Sequence, residues 1–426
     1  MLDASYKAGL FNENDDTGTF FALEPEAASI FYNSDKFSYQ DDITTGEPFI
    51  LCDLGSGTVD IIVQKKVRNN NITTFEELHE PVGGNNGSNR INELFMEKVI
   101  QEIFGKEACD QIKSQFINYY QEWIKFEEEI ELFKKSYKYE NQKDNYYGIN
   151  CDIFDDFCNN KTIKTLVDNF NLKCKRTWLI KIKRKSILEF SYNIIDDLMD
   201  EILKEVLEYI RKIRNKMKDN VKTFVFSGGA SLSPIMVHKI QKIDEIKLNY
   251  VKSHNPEVAI SLGSVKFAYD RNIITNRIAK YSFGIGIYEK WDNKYEGKGK
   301  KINLNGKIIC DNLFSRFITK GESIPYNKII RKKYLMDQPI VSIELFETNE
   351  NNVTFTDEKD NENKLKVFKF GVIILDAKDK FDPNNNLVEV EMRFGGTFIS
   401  ISGKYIKTSE KISSVILIEE IKKEEK

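Results

Sequence analysis

Cysteine and histidine are scarce in this chain of 426 residues, with Cys 6 and His 3. The cysteines (Cys52, Cys109, Cys151, Cys158, Cys174 and Cys310) lie far apart without CxxC spacing, and His79, His238 and His254 are as scattered. That argues against a structural zinc site and fits a reduced, cytoplasmic setting. No spacing supports a thiol nucleophile. A basic excess is also missing, since Lys+Arg 63 against Asp+Glu 66 leaves a net charge of -3. Nothing neutralises a nucleic-acid backbone, so a nucleic-acid partner is not expected. No run of 18 apolar residues occurs, so no membrane span is expected. The opening MLDASYKAGLFNENDD has no basic head before an apolar stretch, so it does not read as a secretion signal.

What is present is a long chain with 41% hydrophobic residues, enough for two or three domains with sizeable cores. Its most informative stretch is ILCDLGSGTVDIIVQK, residues 50–65. Ile50–Cys52 and Val59–Val63 read as short buried strands. Between them Gly55, Ser56, Gly57 and Thr58 form a loop flanked by Asp53 and Asp60. Backbone N–H groups of Gly55 to Thr58 can approach phosphate oxygens closely, because glycine presents no Cβ. Asp53 and Asp60 are the residue type that holds a hydrated Mg²⁺ beside phosphates. An ordinary hairpin with a permissive turn is the plain alternative.

Two more glycine turns follow. VGGNNGSNR leads into a helix whose apolar positions Ile91, Leu94, Phe95, Val99 and Ile103 keep the 3–4 spacing. Further on, TFVFSGGASLSP predicts a strand at Val221–Phe226, a Gly-Gly turn, and a helix with Ser233 as N-cap and Pro234 at its first position. A helix N-terminus preceded by glycines suits an anion or a nucleotide. A stripe from Ile187 through Phe190, Ile194, Leu198 and on to Ile213 predicts one long helix over 186–218. The Asn-, Asp- and Lys-rich segment 139–160 reads as a surface insertion. After about Tyr281 the runs Ile340–Phe346, Val367–Ile374, Val388–Met392 and Phe398–Ile401 alternate between polar turns, the pattern of an antiparallel β-domain.

Taken in order, LEPEAASIF, DLGSGTVDIIV, VGGNNGSNRINELF, FEEEIELFKKS and FVFSGGASLSPIM resemble the heat shock protein 70 nucleotide-binding domain. The Glu-Pro-Glu-Ala-Ala and GGASLSP forms resemble the divergent heat shock 70 kDa protein 12 branch. YSFGIGI, FITKGESIP, VSIELFETN and VEVEMRFGGTFISISGKY resemble successive strands of that family's substrate-binding β-sandwich. The resemblance implies an α/β actin-like ATPase (ribonuclease H-like) fold over residues 1–275, followed by an all-β sandwich over 281–420. It implies ATP or ADP with Mg²⁺ as cofactors and extended polypeptide clients and co-chaperones as partners.

Residue by residue, Gly55, Ser56, Gly57 and Thr58 match the family's second phosphate loop. Asp53 and Asp60 match the acids around the metal. Glu24 matches the glutamate that orders magnesium-bound water, so Glu24, Asp53 and Thr58 are the implied catalytic residues. Gly83 and Gly84 match a glycine turn near the phosphates, and Gly228 and Gly229 the adenosine loop. Glu131, Lys134 and Lys135 fall on the family's adenosine-contacting helix, with a solvated charged face as the plain alternative.

Several departures set further expectations. Ala230 and Leu232 stand where the family has serine and arginine. No Asp-x-Gly-Thr loop or catalytic lysine precedes the KAGL segment at Lys7–Leu10. The first lobe therefore reads as incomplete, as in an incomplete gene product. No acidic-leucine linker is recognisable in Asp270–Ser282, and no helical lid follows the β-domain. A chaperone-like ATP-binding protein is the first expectation, with weak nucleotide affinity and no turnover for these 426 residues. A nucleotide-independent scaffold is the second. A sugar kinase of the same superfamily is the third, disfavoured because such kinases carry no β-sandwich.

Overall fold

Two strands flank the glycine loop as the β-branched runs predict, Pro48–Leu54 and Val59–Asn69. The computed structural model describes residues 2–9, 21–32, 43–69, 72–138, 145–158, 161–174, 179–218, 220–242, 248–252, 255–304, 306–377, 381–384, 386–407 and 411–417. His254 and Leu10 lie outside the described residues. The helices are α1 Leu2–Lys7, α2 Glu24–Tyr32, α3 Asn89–Phe95, α4 Gln101–Phe104, α5 Lys106–Ser114, α6 Phe116–Ser136, α7 Ile163–Lys173, α8 Asn193–Met217, α9 Pro234–Lys242 and α10 Ala259–Tyr269. The first strands are β1 Pro48–Leu54, β2 Val59–Asn69, β3 Ile72–Gly84, β4 Tyr146–Asn150, β5 Lys181–Arg184, β6 Ile187–Ser191, β7 Thr223–Ser227 and β8 Asn249–Lys252. Then come β9 Ile274–Ile278, β10 Ser282–Lys290, β11 Lys301–Leu304, β12 Lys307–Ile318, β13 Ser323–Pro325, β14 Lys328–Leu335, β15 Ile340–Thr348, β16 Val367–Asp376, β17 Leu387–Phe394, β18 Phe398–Tyr405 and β19 Lys411–Leu417. Among the described residues no helix is long and apolar enough to cross a membrane.

The chain divides into two units, each discontinuous along the sequence. One comprises Met1–Glu26, Val63–Pro81 and Ser264–Lys426, the other Ala27–Ile62 and Val82–Gly263.

In the second of these units β1 pairs in parallel with β7, from Phe49↔Thr223 to Asp53↔Ser227, and β7 pairs in parallel with β8. Helices cover such parallel strands on both faces, which is why β1 is a nearly continuous apolar run with Phe49, Ile50, Leu51 and Cys52 all buried. The long helix α8 buries Ile194, Leu198, Ile202, Val206, Ile210 and Ile213 along one stripe, as the spacing predicts. It does not begin at 186. Ile187 and Phe190 lie instead on β6, which pairs antiparallel with β4. The reason is local: ILEFS alternates as a strand does, and the Ser191 hydroxyl accepts the Asn193 N–H at 3.3 Å, opening the helix there. Segment 139–160 is also corrected in part. Residues 145–158 are no loose insertion, because Ile149, Cys151 and Phe154 are buried and Phe154 stacks on Phe104 at 4.1 Å. Ser233 and Pro234 open α9 as expected, with the Met236 N–H directed at Ser233 Oγ at 3.5 Å.

In the other unit the alternating runs become two antiparallel sheets, β11-β12-β10-β15-β16 and β14-β17-β18-β19. Their inward residues share one core that includes Ile285, Ile318, Leu345, Val390, Met392 and Ile401. Period-two alternation sets this: β17 turns Val388, Val390, Met392 and Phe394 inward and its charged residues out. The segment Asp270–Ser282, unremarkable as a linker in sequence, forms β9, which pairs in parallel with β3 and antiparallel with β13.

Candidate nucleotide site

The sharp turn after β1 is built by backbone contacts rather than by side chains. Gly55 N–H donates to Thr58 O at 3.0 Å and closes the loop on itself. The amides of Gly87, Ser88 and Asn89 then donate to the carbonyls of Gly57, Gly55 and Ser56 at 3.3, 3.1 and 2.8 Å. Amides entering and opening α3 would otherwise need outside acceptors, and the loop carbonyls supply them. The glycine at 87 is required by this contact. A Cβ there would sit 2.3 Å from Ser56 O.

This clamp leaves the loop crest open. Ser56 and Gly57 are exposed, and a Cβ on Gly57 would meet nothing within 4 Å. Gly55 differs from expectation in one respect, since its N–H is used inside the loop. Thr58 Oγ1 donates to Asp60 Oδ2 at 3.0 Å, which fixes both side chains at the loop's far end.

Asp53 is buried near the end of β1 and is in register with Ser227 on β7, so the two share one face of the sheet. Gly228 follows with φ 78, and a Cβ there would lie 2.5 Å from Asp53 Oδ1 and 2.3 Å from Leu54 O. Only glycine lets this turn approach the carboxylate. Gly83 plays the same part for Asp60, with its Cβ position 2.8 Å from Asp60 Oδ1 and 2.3 Å from Val59 O. Gly229 has open space at its Cβ position. Gly84 lies beside Asn86, whose side-chain amide donates to Ile202 O on α8 at 3.2 Å.

Glu131, Lys134 and Lys135 are brought to the start of α3. Lys134, buried, donates to Ser88 O at 3.1 Å and pairs with Glu131 at 2.6 Å. Asn92 donates to Glu131 at 2.7 Å, and the exposed Lys135 reaches the same carboxylate at 3.3 Å. Burial holds Lys134 below the usual lysine range. Burial also pushes Glu131 up, but hydrogen bonds from Lys134 and Asn92 outweigh it and keep the carboxylate below its ordinary value. Lys134 and Glu131 are therefore packed against the start of α3, while Lys135 remains on a solvated face. Glu24 opens α2, is exposed, and belongs to the other unit.

Leu232, in the turn after Gly229, is 55% exposed. Sequence reasoning did not single out Ser88, Asn92 or Ser227. Ser227 is wholly buried, and its hydroxyl has no hydrogen-bond partner among the described residues. Its only signal is a polar residue ending the apolar run TFVFS. As a donor set, Asp53 and Asp60 fit Mg²⁺: both offer hard oxygens, and Mg²⁺ commonly takes one or two carboxylates and completes its shell with water and phosphate. A full protein cage is not needed, and among the described residues no group of three or more His, Cys, Asp or Glu could hold a metal alone.

The comparisons with known proteins give the class first. Residues 42–251 match a family described as Domain of unknown function (DUF8340). Nearly the whole chain is similar to the divergent 12A/12B branch of the heat shock protein 70 family, in agreement with the motif order. The chain is 21% identical to Heat shock 70 kDa protein 12A of Mus musculus, over 97% of this chain and 67% of the relative. It is equally 21% identical to the 12A protein of Homo sapiens. Identity to Heat shock 70 kDa protein 12B of Homo sapiens is 19% over 98% of this chain.

Proposed function

We propose that the chain is an ATP-binding, heat shock protein 70-like protein of chaperone type, with an actin-like nucleotide-binding region (1–275) and a peptide-binding β-sandwich (281–420). The observation that carries this reading is the clamp of Gly87–Asn89 on the Gly55–Thr58 loop, which holds an open glycine crest between Asp53 and Asp60. Ser56 and Gly57 amides at that crest are donors for phosphate oxygens. Asp53 and Asp60 would hold Mg²⁺, which supplies positive charge to the phosphates. Thr58 orients Asp60 through its hydroxyl. Gly228 and Gly229 admit the nucleoside side of the ligand, and the Glu131–Lys134 pair stiffens the helix that borders it. Glu24 is the proposed water-orienting acid. In the β-sandwich, an exposed strand edge would pair with the main chain of an extended apolar peptide. The cytoplasm is the proposed setting.

One observation favours a second reading, a nucleotide-independent scaffold. Ala230 and the exposed Leu232 supply neither a hydrogen bond nor a cation to a base. Titration with a fluorescent ADP analogue, displaced by ATP, separates the two. Saturable, displaceable binding supports the first reading. No binding at millimolar nucleotide leaves the scaffold.

A further inference from the structure

The net charge of -3 hides a basic block. Residues 161–191 hold nine Lys or Arg against two acids, Asp168 and Glu189, a local charge of +7. Asp152, Asp155 and Asp156, in the short turn before α7, lower this only to +4. Such an excess selects partners of the opposite sign. Seven of the nine basic residues are described, and all seven are exposed: Lys161, Lys164, Lys173, Lys181, Lys183, Arg184 and Lys185.

Folding gathers them on one face. Helix α7 buries Ile163, Val167 and Phe170, which turns Lys164, Leu172 and Lys173 to solvent. Near its C-terminal end Asn171 Nδ2 donates to Ile180 O at 2.8 Å, and the Ile180 N–H donates to Asn171 Oδ1 at 3.0 Å. At the other end Ser186 Oγ donates to Asp155 Oδ2 at 3.2 Å, in the turn Asp152–Phe157 that leads into α7. Helix α7 and strand β5 therefore lie side by side and run in opposite directions.

Few of these charges are neutralised within the chain. Lys183 pairs with Glu189 at 3.2 Å and Lys185 with Asp155 at 3.7 Å. Lys181 lies over the Tyr146 ring, 3.6 Å from its centroid. Lys161, Lys164, Lys173 and Arg184 form no ion pair among the described residues. Among the cations stand two leucines, Leu172 at 85% exposed and Leu179 at 51%. They flank the Asn171–Ile180 contact, which holds both at one corner of the face.

We propose that this α7–β5 face docks on an anionic lipid bilayer. The ammonium and guanidinium groups pair with headgroups, while Leu172 and Leu179 enter the boundary of the acyl chains. Lysine suits this, because its apolar stem can follow the leucines while its charge stays at headgroup level. A nucleic-acid backbone matches the charge but offers nothing to exposed leucines, and a bilayer matches both. Each basic residue close to an anionic surface is worth about fivefold in partitioning, so three charge reversals should cost about 100-fold or more.

Sedimentation of the full chain with vesicles tests this, using phosphatidylcholine with and without phosphatidylserine. Binding should require phosphatidylserine and fall away at high salt. Lys173→Glu, Lys181→Glu and Arg184→Glu together should abolish it. Lys106→Glu, Lys204→Glu and Lys212→Glu together change the net charge equally at exposed positions elsewhere and should leave most of it. Equal loss in both triple variants, or retained binding in the first, overturns the proposal. So does the absence of vesicle binding in a chain that is retained on heparin, which would assign the face to a soluble polyanion. If the first triple variant fails to fold, Leu172→Ser with Leu179→Ser decides. Binding should weaken severalfold and keep its salt dependence, and unchanged binding overturns the proposal.

Discussion

The Ser88 N–H lies 3.1 Å from the Gly55 carbonyl, and the Ser88 carbonyl accepts from Lys134 at 3.1 Å. One residue therefore ties the glycine loop after β1 to the last turn of the long helix α6. A chain of polar contacts runs from Gly55 through Ser88 and Lys134 to Glu131 and Asn92. It explains how a loop of small residues keeps one shape without side chains to pack.

The two glycines on either side of this contact should respond differently to a methyl group. Gly87→Ala places a Cβ 2.3 Å from a backbone oxygen that cannot move alone, so a loss of about 1–3 kcal/mol is expected. Gly57→Ala meets nothing within 4 Å and should change stability by about 0.5 kcal/mol or less. Thermal unfolding followed by circular dichroism gives both values. Equal effects would mean that the clamp is not as drawn.

Lys134→Ala should be far more costly than Lys135→Ala. The first removes a buried cation and leaves Ser88 O and Glu131 without their shared donor, at about 3 kcal/mol. The second removes a side chain that is 69% exposed, at about 0.5 kcal/mol or less. Urea denaturation midpoints at constant slope would measure the difference.

Thiol reactivity should follow burial. Burial pushes Cys52 and Cys151 well above the usual thiol range and Cys109 up to about 11. All three are therefore neutral at pH 8, and the thiolate is the reactive form. Mass-spectrometric mapping of iodoacetamide labelling should show the partly exposed Cys174 modified first, and these three only after unfolding. Labelling of Cys52 at the rate of Cys174 would contradict the packing of β1.

In the two-sheet body, Leu345→Ala should cost about 2–5 kcal/mol, because it empties space in the shared core. Ile374→Ala, at a side chain that is 56% exposed, should fall within about 0.5 kcal/mol. Calorimetric unfolding of the two variants checks this.

Much of the site was legible because its residues are there for backbone reasons. Gly83 and Gly228 stand where a Cβ would strike Asp60 or Asp53, and such glycines show in sequence as conspicuous pairs. The β-runs from Ile340 onward were legible for a different reason, the period of two that a half-buried strand imposes. Other features left no pattern. The stripe from Ile187 to Ile213 kept helical spacing across a strand and a helix, since both bury the same kind of residue. Strand β9 carries Asn276 and Arg277 and looks polar, because its buried arginine finds Glu26, distant in sequence. Charge partners that meet only on folding cannot be read from local spacing.

The reading of the glycine loop as part of a nucleotide site is tested most directly by isothermal calorimetry of ADP against the full chain, with and without Mg²⁺, and in Asp53→Asn. Binding that needs Mg²⁺ and weakens by at least about tenfold, or about 1.4 kcal/mol, in Asp53→Asn is the predicted result. ADP binding indifferent to both Mg²⁺ and Asp53, or none at millimolar nucleotide, would contradict it.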